Sequence, residues 1–441
     1  MGRSELENNC IKILKSNYNL ILTGAPGTGK TFLAKKIAES LGATEENGQC
    51  RMVQFHPSMD YTDFVEGLRP VQNTIENNSS VNTFERKNGI FKDFCAEALK
   101  NFCDSQKSPS EIQSERNIEE SYEKLREDIE NGKVKEIPLR SEGVSMIPEV
   151  STQGNILLKA RDNNTGTYHT VSLNRIKKLS EIFKNINDLD KITNIYKEVS
   201  TVIGGCNSSA YWGLLMYLYK NYTQKLDANT EQVERKNYIF IIDEINRGEI
   251  SKILGELFFS IDPGYRGEKG KVITQYHNLI EVGDDFEDGF FVPENVYIIG
   301  TMNDIDRSIE SMDFAMRRRF AWKDISVESQ MEILDNETSW GKNGKPDENT
   351  LKELKNRMTH LNQAIIDKYY KEPISNQVKI GLTKSFQIGP AYFLKFNLYN
   401  NFEDLWKYHI EGLLYEYLRG VPDIEIKMKS LLKAYNDKSD N

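Results

Sequence analysis

Short apolar runs and amphipathic stretches alternate along the first part of the chain. Residues 19–23 predict a buried strand, and the apolar positions within residues 32–41 recur at helical spacing. Alternation of strands and helices is typical of an α/β fold, so we predict a parallel sheet at the core. Further strands of this sheet are predicted at 51–55, 237–242 and 295–300.

The pattern changes between residues 104 and 235. Residues 105–130 are dense in Ser, Glu and Lys and poor in apolar residues, which predicts a linker or a solvated helix. Alternating segments between 134 and 172 predict a small β unit. Helices are predicted at 174–184, 192–203 and 209–222, so we interpret the whole stretch as a compact α+β insert.

Two hairpins and a helical C-terminal region complete the predicted architecture. The hairpins are expected at 67–90 and 265–293, and beyond Phe320 the spacing of apolar residues becomes mostly helical. The predicted domains are the first part of an α/β core at 1–103, the insert at 104–235, the second part of the core at 236–325 and a helical lid at 326–441.

Composition excludes several classes of protein. The chain has 441 residues, 38% of them hydrophobic, which is enough for a sizeable core in two or three domains. Its formal charge of −9 argues against a surface that binds nucleic acid everywhere. Five scattered cysteines, no long apolar run and no signal-peptide pattern predict a reduced, cytoplasmic protein that does not enter a membrane.

A phosphate-binding loop is predicted directly after the first strand. The segment follows the pattern G-x-x-x-x-G-K-[ST], lies after a predicted strand and opens a predicted helix. Backbone N–H groups, the helix N-terminus and a lysine ammonium can then converge on phosphates, while a hydroxyl can bind Mg²⁺. The alternative is a Gly-rich turn without a ligand. The motif is Gly24-Ala25-Pro26-Gly27-Thr28-Gly29-Lys30-Thr31.

Two adjacent carboxylates follow the apolar strand 238–242. Because ligands of open α/β sheets bind at the carboxyl ends of the strands, Asp243 and Glu244 are well placed for catalysis. We expect Asp243 to hold Mg²⁺ and Glu244 to orient or deprotonate the attacking water. A solvated acidic turn is the alternative, although it does not explain why the acids follow five apolar residues.

A polar segment, residues 300–308, follows the next predicted strand. Asn303 is placed to sense the γ-phosphate or the water, and Asp306 could help to fix the water. The segment could also be only a polar loop.

Three consecutive arginines, Arg317, Arg318 and Arg319, precede Phe320. Adjacent guanidinium groups repel one another and need anions, and the nucleotide of a neighbouring subunit could supply them. An arginine finger of this kind requires an oligomer. A basic surface patch or a contact with DNA phosphates is the alternative.

The order of these motifs resembles that of AAA+ proteins, and the residues within the motifs resemble those of the McrB family. The resemblance covers residues 1–103 and 236–420. It rests on Asp243-Glu244-Ile245-Asn246-Arg247, on Met302-Asn303-Asp304-Ile305-Asp306-Arg307-Ser308, on Gln54-Phe55-His56-Pro57-Ser58, on Asp63-Phe64-Val65-Glu66-Gly67-Leu68-Arg69-Pro70 and on Ile388-Gly389-Pro390-Ala391-Tyr392-Phe393.

The resemblance implies a hexameric ring that uses Mg²⁺ and hydrolyses GTP in preference to ATP. It also implies a McrC-like partner that carries the nuclease, with DNA bound through the complex. Carried over by motif, the nucleotide-binding residues are Gly24, Ala25, Pro26, Gly27, Thr28, Gly29, Lys30, Thr31 and Phe32, the metal ligands are Thr31 and Asp243, and the catalytic residues are Glu244, Asn303, Asp306 and Arg318 or Arg319.

The sequence departs from the McrB pattern at its start. The phosphate-binding loop begins at Gly24, so we expect no N-terminal domain that reads modified cytosine. The insert at 104–235 contacts a partner or DNA in one hypothesis and is a structural decoration in another. Two other functions are compatible with the motifs: an ATP-using remodeller of proteins, and a nucleotide-gated assembly module with little turnover.

Overall fold

The computed structural model describes residues 4–75, 79–141, 143–151, 154–160, 168–205, 207–223, 232–280, 284–305, 314–368 and 378–437. The chain divides into two compact units, the first formed by residues 1–65, 237–266 and 296–441 and the second by residues 66–236 and 267–295. The domain boundaries predicted above, at 103/104, 235/236 and 325/326, follow the order of the chain and stay predictions.

Four strands of the predicted sheet are confirmed to within one residue. The strands are β1 (Asn19–Thr23), β2 (Cys50–Gln54), β3 (Glu66–Ile75), β4 (Ser79–Asn88), β5 (Ile137–Pro138), β6 (Ser145–Val150), β7 (Ile156–Ala160), β8 (Tyr168–Val171), β9 (Tyr238–Asp243), β10 (Val296–Thr301) and β11 (Ala321–Asp324). The α-helices are α1 (Glu5–Asn17), α2 (Lys30–Ser40), α3 (Tyr61–Phe64), α4 (Ile90–Gln106), α5 (Pro109–Glu130), α6 (Leu173–Ile182), α7 (Ile186–Asp190), α8 (Ile195–Ile203), α9 (Ser208–Asn221), α10 (Ile250–Leu254), α11 (Leu257–Ser260), α12 (Phe314–Arg319), α13 (Glu348–Ile365), α14 (Pro390–Phe393), α15 (Phe402–Leu405), α16 (Glu411–Tyr417) and α17 (Ile424–Tyr435).

A five-stranded parallel sheet forms the core of the first unit, in the order β11-β1-β10-β9-β2. All five residues of β1 are buried, as expected for a parallel strand that is covered on both faces. Gly300 of β10 is level with Ile21 of β1 and with Ile242 of β9. The residues that follow these three strands are therefore neighbours at the carboxyl edge of the sheet.

The C-terminal part of the first unit is helical, as predicted. It runs from α13 to α17, and a π-helical turn at Trp406–Ile410 joins α15 to α16. Leu361 of α13 and Leu414 of α16 are fully buried in one apolar cluster, which also contains Ile388 and Ala25. This helical lid is thus packed against the residues that follow β1.

The second unit contains the first predicted hairpin and the insert. Strands β3 and β4 pair antiparallel, with Glu66 opposite Asn88, so the hairpin is confirmed. In the insert, α5 to α9 accompany a four-stranded antiparallel sheet in the order β5-β6-β7-β8. Strand β6 was not predicted, because Pro148 lies within it and proline is unusual in a central strand.

The prediction of a second hairpin at 265–293 is wrong for the described residues. They form 3₁₀ turns, with a single antiparallel bridge between Val272 and Phe290. Phe286 packs edge-on against both Phe290 and Phe291, and Gly289 adopts φ 116°, outside the range of a regular strand. The aromatic residues therefore form a local cluster instead of alternating between two faces of a strand.

Buried ion pairs connect this loop to the base of the hairpin within the second unit. The Glu66 carboxylate accepts from Lys92 Nζ at 2.6 Å and from Arg86 Nη1 at 3.0 Å, and both Glu66 and Lys92 are fully buried. Arg86 also contacts Asp284 at 2.6 Å. Loss of one partner would leave a buried charge, which costs about 3–5 kcal/mol, so the network fixes the position of the hairpin base.

Candidate nucleotide site

The loop between β1 and α2 has the backbone of a phosphate cradle. Gly24, Gly27 and Gly29 have φ values of 139°, 75° and 78°, a region that glycine adopts without steric cost. Gly29 is the N-cap of α2 and no side chain caps the helix, so the first-turn amides of α2 face the loop. Free amides and the positive end of a helix dipole form an anion site.

The same three glycines are also crowded by other parts of the first unit. A Cβ on Gly24 would lie 2.4 Å from the carbonyl oxygen of Ile325, and one on Gly27 would lie 2.6 Å from the Tyr392 ring. A Cβ on Gly29 would lie 2.6 Å from the Ile333 side chain. Both the backbone conformation and the lack of room for a Cβ atom therefore require glycine at these positions. Tyr392 and Ile333 of the C-terminal region pack against the loop.

Lys30 lies inside the loop. Its side chain is buried, and Nζ donates to the carbonyl oxygens of Gly24 at 3.0 Å and Ala25 at 2.9 Å. Burial lowers the pKa of the Lys30 ammonium to about 8, and the carboxylates of Asp304, Glu244, Asp243 and Asp324 oppose this shift. An incoming phosphate would add negative charge beside the ammonium and favour its charged form.

Thr31 and Asp243 meet at the carboxyl edge of the sheet. Thr31 Oγ1 donates to Asp243 Oδ1 at 2.6 Å, although 212 positions separate them in the chain. Thr301 Oγ1 donates to the same oxygen, also at 2.6 Å. A hydroxyl and a carboxylate oxygen at this spacing are hard donors of the kind that Mg²⁺ prefers, so the residues present fit a magnesium ion.

Glu244 is held by the residues of the neighbouring strand. Asn303 Nδ2 donates to Glu244 Oε1 at 2.6 Å, and the Glu244 backbone N–H donates to Thr301 Oγ1 at 3.3 Å. Arg247 Nε lies 3.6 Å from the other carboxylate oxygen of Glu244. Glu244 has φ 51°, which is unusual for a residue with a side chain and is common where a site imposes a backbone conformation.

The structure brings two residues into the site that sequence reasoning missed. Thr301 contacts Asp243, and Asp304 acts on Lys30 electrostatically. The position of Thr301 could have been inferred from parallel pairing, since Gly300 is level with Ile242 and the next residues of both strands are therefore neighbours. The effect of Asp304 depends on how the chain turns after β10, which the sequence pattern does not fix.

The arginine cluster divides into exposed and buried members. Arg319 is buried, donates to the Ala315 carbonyl at 2.9 Å, and its Nε lies 3.8 Å from Asp262 of the same chain. Arg318 is exposed, and Arg317, also exposed, stacks on Trp322 at 4.8 Å. Of the two predicted fingers, only Arg318 is thus accessible to a neighbouring subunit.

The last two predicted site residues are Phe32 and Asp306. Phe32 lies in the first turn of α2, where its ring is 42% exposed and is covered by Lys36 Nζ at 4.8 Å. Its backbone belongs to the first turn of the helix, but its side chain lies at the surface. Asp306 lies outside the described residues.

A parallel sheet with a phosphate loop after β1, acids at the end of β9, a polar segment at the end of β10 and a helical lid defines an AAA+ P-loop protein. The model of an AAA domain of the dynein-related subfamily matches residues 19–93 and 206–320. The family model of the McrB alpha-helical lid domain matches residues 353–424. The chain is a McrB-like AAA+ protein.

Two relatives are named as components of restriction enzymes. The chain is 27% identical, over 87% of its length, to the type IV methyl-directed restriction enzyme EcoKMcrB subunit of Escherichia coli (strain K12). It is 23% identical, over 46% of its length, to the type II restriction enzyme BsuMI component YdiS of Bacillus subtilis (strain 168). The aligned regions span 49% and 57% of these relatives, so the chain matches about half of each.

The comparisons confirm the predicted family and fold class. They connect the chain to restriction-system components and to nucleotide hydrolysis in the AAA+ family. Within the parts of the chain that the structure describes, no helix is both long and apolar enough to cross a lipid bilayer.

Proposed function

We propose that this chain is the ring-forming, GTP-hydrolysing subunit of a McrBC-type restriction system and that a McrC-like partner carries the nuclease. The observation that carries the hydrolytic role is the 2.6 Å contact between Thr31 and Asp243, which joins the phosphate loop to the carboxylates of β9. The names of the relatives support the restriction role. Hexamer formation and DNA binding through the complex are proposed from the resemblance to McrB.

The first task of the site is to bind a nucleoside triphosphate. The amides of the glycine loop and the α2 N-terminus receive the phosphates, and Lys30 exchanges its carbonyl partners for phosphate oxygens. Thr31 and Asp243 hold Mg²⁺, directly or through water. Bound Mg²⁺ supplies positive charge that offsets the charge developing on the β- and γ-phosphates.

The second task is to activate water. Glu244 orients the water and accepts its proton, and Asn303 holds the Glu244 carboxylate in position through the 2.6 Å hydrogen bond. A fixed carboxylate loses less freedom when the water binds. Asp306 is proposed as a second residue that fixes the water, on the basis of the motif alone.

Completion of the site requires a second subunit. Arg318 is exposed on α12, and we assign it as the finger that reaches the γ-phosphate of the neighbouring subunit. Arg319, with its partners inside its own chain, stabilises α12 instead. A head-to-tail interface forms a closed ring when its rotation closes, and the proposed hexamer is such a ring.

Substitution of Lys30 by alanine is expected to weaken binding of Mg-GTP by about 2–5 kcal/mol, or roughly 30- to 5,000-fold in Kd. The reason is that the variant removes the buried cation that faces the phosphates. Isothermal titration calorimetry of the purified variant measures this change. Lys35→Ala is the matched control, because Lys35 lies on the same helix but is exposed and forms a surface ion pair with Glu45 at 3.1 Å. Equal affinity of Lys30→Ala and wild type would refute the assignment.

The proposed nucleotide and partner can be tested together. Steady-state hydrolysis of GTP and ATP is measured with and without the product of a neighbouring McrC-like gene. We expect a higher kcat/KM for GTP than for ATP and stimulation by the partner. A clear preference for ATP without stimulation would favour a protein remodeller. Ring formation on nucleotide binding with almost no hydrolysis under either condition would favour a nucleotide-gated assembly module.

A further inference from the structure

The lid contributes a short backbone segment directly to the phosphate loop. This segment, which we call the lid strap, consists of residues 388–391, the last two of which begin α14. Its Gly389 N–H donates to the Pro26 carbonyl at 2.9 Å, and its Ala391 N–H donates to the Gly27 carbonyl at 3.0 Å. Both acceptors lie in the middle of the loop, between Gly24 and Gly29.

The two hydrogen bonds fix the direction of two loop amides. In a trans peptide unit the carbonyl and the following N–H point in opposite directions, and the described chain contains no cis peptide bond. Because the Pro26 carbonyl points to the strap, the Gly27 N–H points away from it. The same argument applies to the Gly27 carbonyl and the Thr28 N–H. Both donors are thus aimed at the opposite side of the loop, where phosphates bind in a P-loop.

The close approach of the strap is possible only because residue 389 is glycine. A Cβ on Gly389 would lie 2.2 Å from the carbonyl carbon of Gly27 and 2.4 Å from the backbone nitrogen of Thr28. Gly389 itself has φ −78°, which any residue can adopt. Contact with the loop, rather than backbone conformation, therefore requires glycine at this position.

One buried side chain holds the strap. Asn362 of α13 is 3% exposed, and its amide makes both hydrogen bonds that the backbone of Ile388 can offer. Asn362 Nδ2 donates to the Ile388 carbonyl at 2.9 Å, and Asn362 Oδ1 accepts from the Ile388 N–H at 2.6 Å. Ile388 directly precedes Gly389, so Asn362 determines where the strap meets the loop.

We propose that Asn362 is a positioning residue for nucleotide binding, acting through the lid strap to aim the Gly27 and Thr28 amides at the phosphates. This inference rests on the proposed function. It makes the lid a part of the phosphate site and not only a cover above it. Movement of α13 would then change nucleotide affinity without any contact between α13 and the nucleotide.

The experiment compares Asn362→Leu with Asn397→Leu. Asn397 is also a buried lid residue that bonds to two backbone carbonyls, those of Trp340 and Gly344 at 3.2 and 2.6 Å. We expect both variants to lower the melting temperature. Only Asn362→Leu should raise Kd for Mg-GTP and Mg-GDP and KM for GTP, by about 10- to 150-fold, the range for one charge-assisted hydrogen bond. The kcat of Asn362→Leu should change much less than its KM.

A second variant tests the strap independently of Asn362. Gly389→Ala should raise Kd for Mg-GTP by a similar factor, whereas Gly412→Ala should not, because a Cβ on Gly412 of α16 meets no atom within 4 Å. Affinities of Asn362→Leu and Gly389→Ala within about twofold of a wild type that binds Mg-GTP would overturn the inference. Lack of binding by the wild type would instead count against the proposed function.

Discussion

Arg318→Ala is expected to lower kcat for GTP hydrolysis about 10³-fold or more, the usual contribution of an arginine finger, with little change in GTP affinity. Arg318 is exposed, so in the proposed ring it is accessible to the nucleotide site of the neighbouring subunit. Arg317→Ala is the matched control. Arg317 is also exposed but stacks on Trp322 of its own chain at 4.8 Å, so its loss should leave hydrolysis near the wild-type rate.

Mixing two inactive variants tests whether Arg318 acts between subunits. In a ring assembled from equal amounts of Arg318→Ala and Lys30→Ala, about one quarter of the interfaces combine an intact Lys30 with an intact Arg318. Hydrolysis should therefore recover to roughly a quarter of the wild-type rate if the sites act independently. No recovery on mixing, in rings shown to contain both variants, would contradict a finger that acts in trans.

Glu244→Gln is expected to lower kcat about 10²–10⁴-fold, the usual contribution of a general base. Glutamine keeps the size of the side chain and can still accept the Asn303 hydrogen bond, but it is a very weak base. Binding of Mg-GTP should remain, because Thr31, Lys30 and Asp243 are unchanged. Single-turnover hydrolysis and calorimetric Kd measure the two effects separately.

The matched control for Glu244 is Glu249→Gln. Glu249 is an acid five residues further along, 67% exposed in its side chain, and its ion pair with Lys252 at 3.9 Å is worth little. Its substitution should leave kcat unchanged. A Glu244→Gln variant that hydrolyses GTP as fast as the Glu249→Gln variant would exclude Glu244 as the base.

The chemistry that lies at the ends of single strands could be predicted from the sequence. A glycine loop after β1, two acids at the end of β9 and a polar segment at the end of β10 each occupy a few consecutive residues next to an apolar run. Parallel pairing then brings them to one edge, since the carboxyl ends of parallel strands coincide there. The 2.6 Å contact between Thr31 and Asp243 follows from this arrangement.

Features that depend on contacts between distant segments could not be predicted. Three consecutive arginines look equivalent in the sequence, and only packing shows that Arg319 is buried beside Asp262. Gly389 and Asn362 lie in the lid, more than 300 residues along the chain from the phosphate loop. No local sequence pattern indicates that the lid strap contacts this loop. The prediction of a second hairpin was wrong for a related reason. Contacts among Phe286, Phe290 and Phe291 override the strand pattern of the local sequence.

The central claim is that one cavity of loop amides, the Lys30 ammonium and a magnesium ion held by Thr31 and Asp243 binds a purine nucleoside triphosphate. Calorimetric titration of the wild-type chain with GTP and with ATP, each in the presence and absence of Mg²⁺, tests it most directly. The account predicts saturable binding at one site per subunit, strengthened by Mg²⁺. Absence of saturable binding for both nucleotides by the folded protein, with Mg²⁺ present, would contradict it.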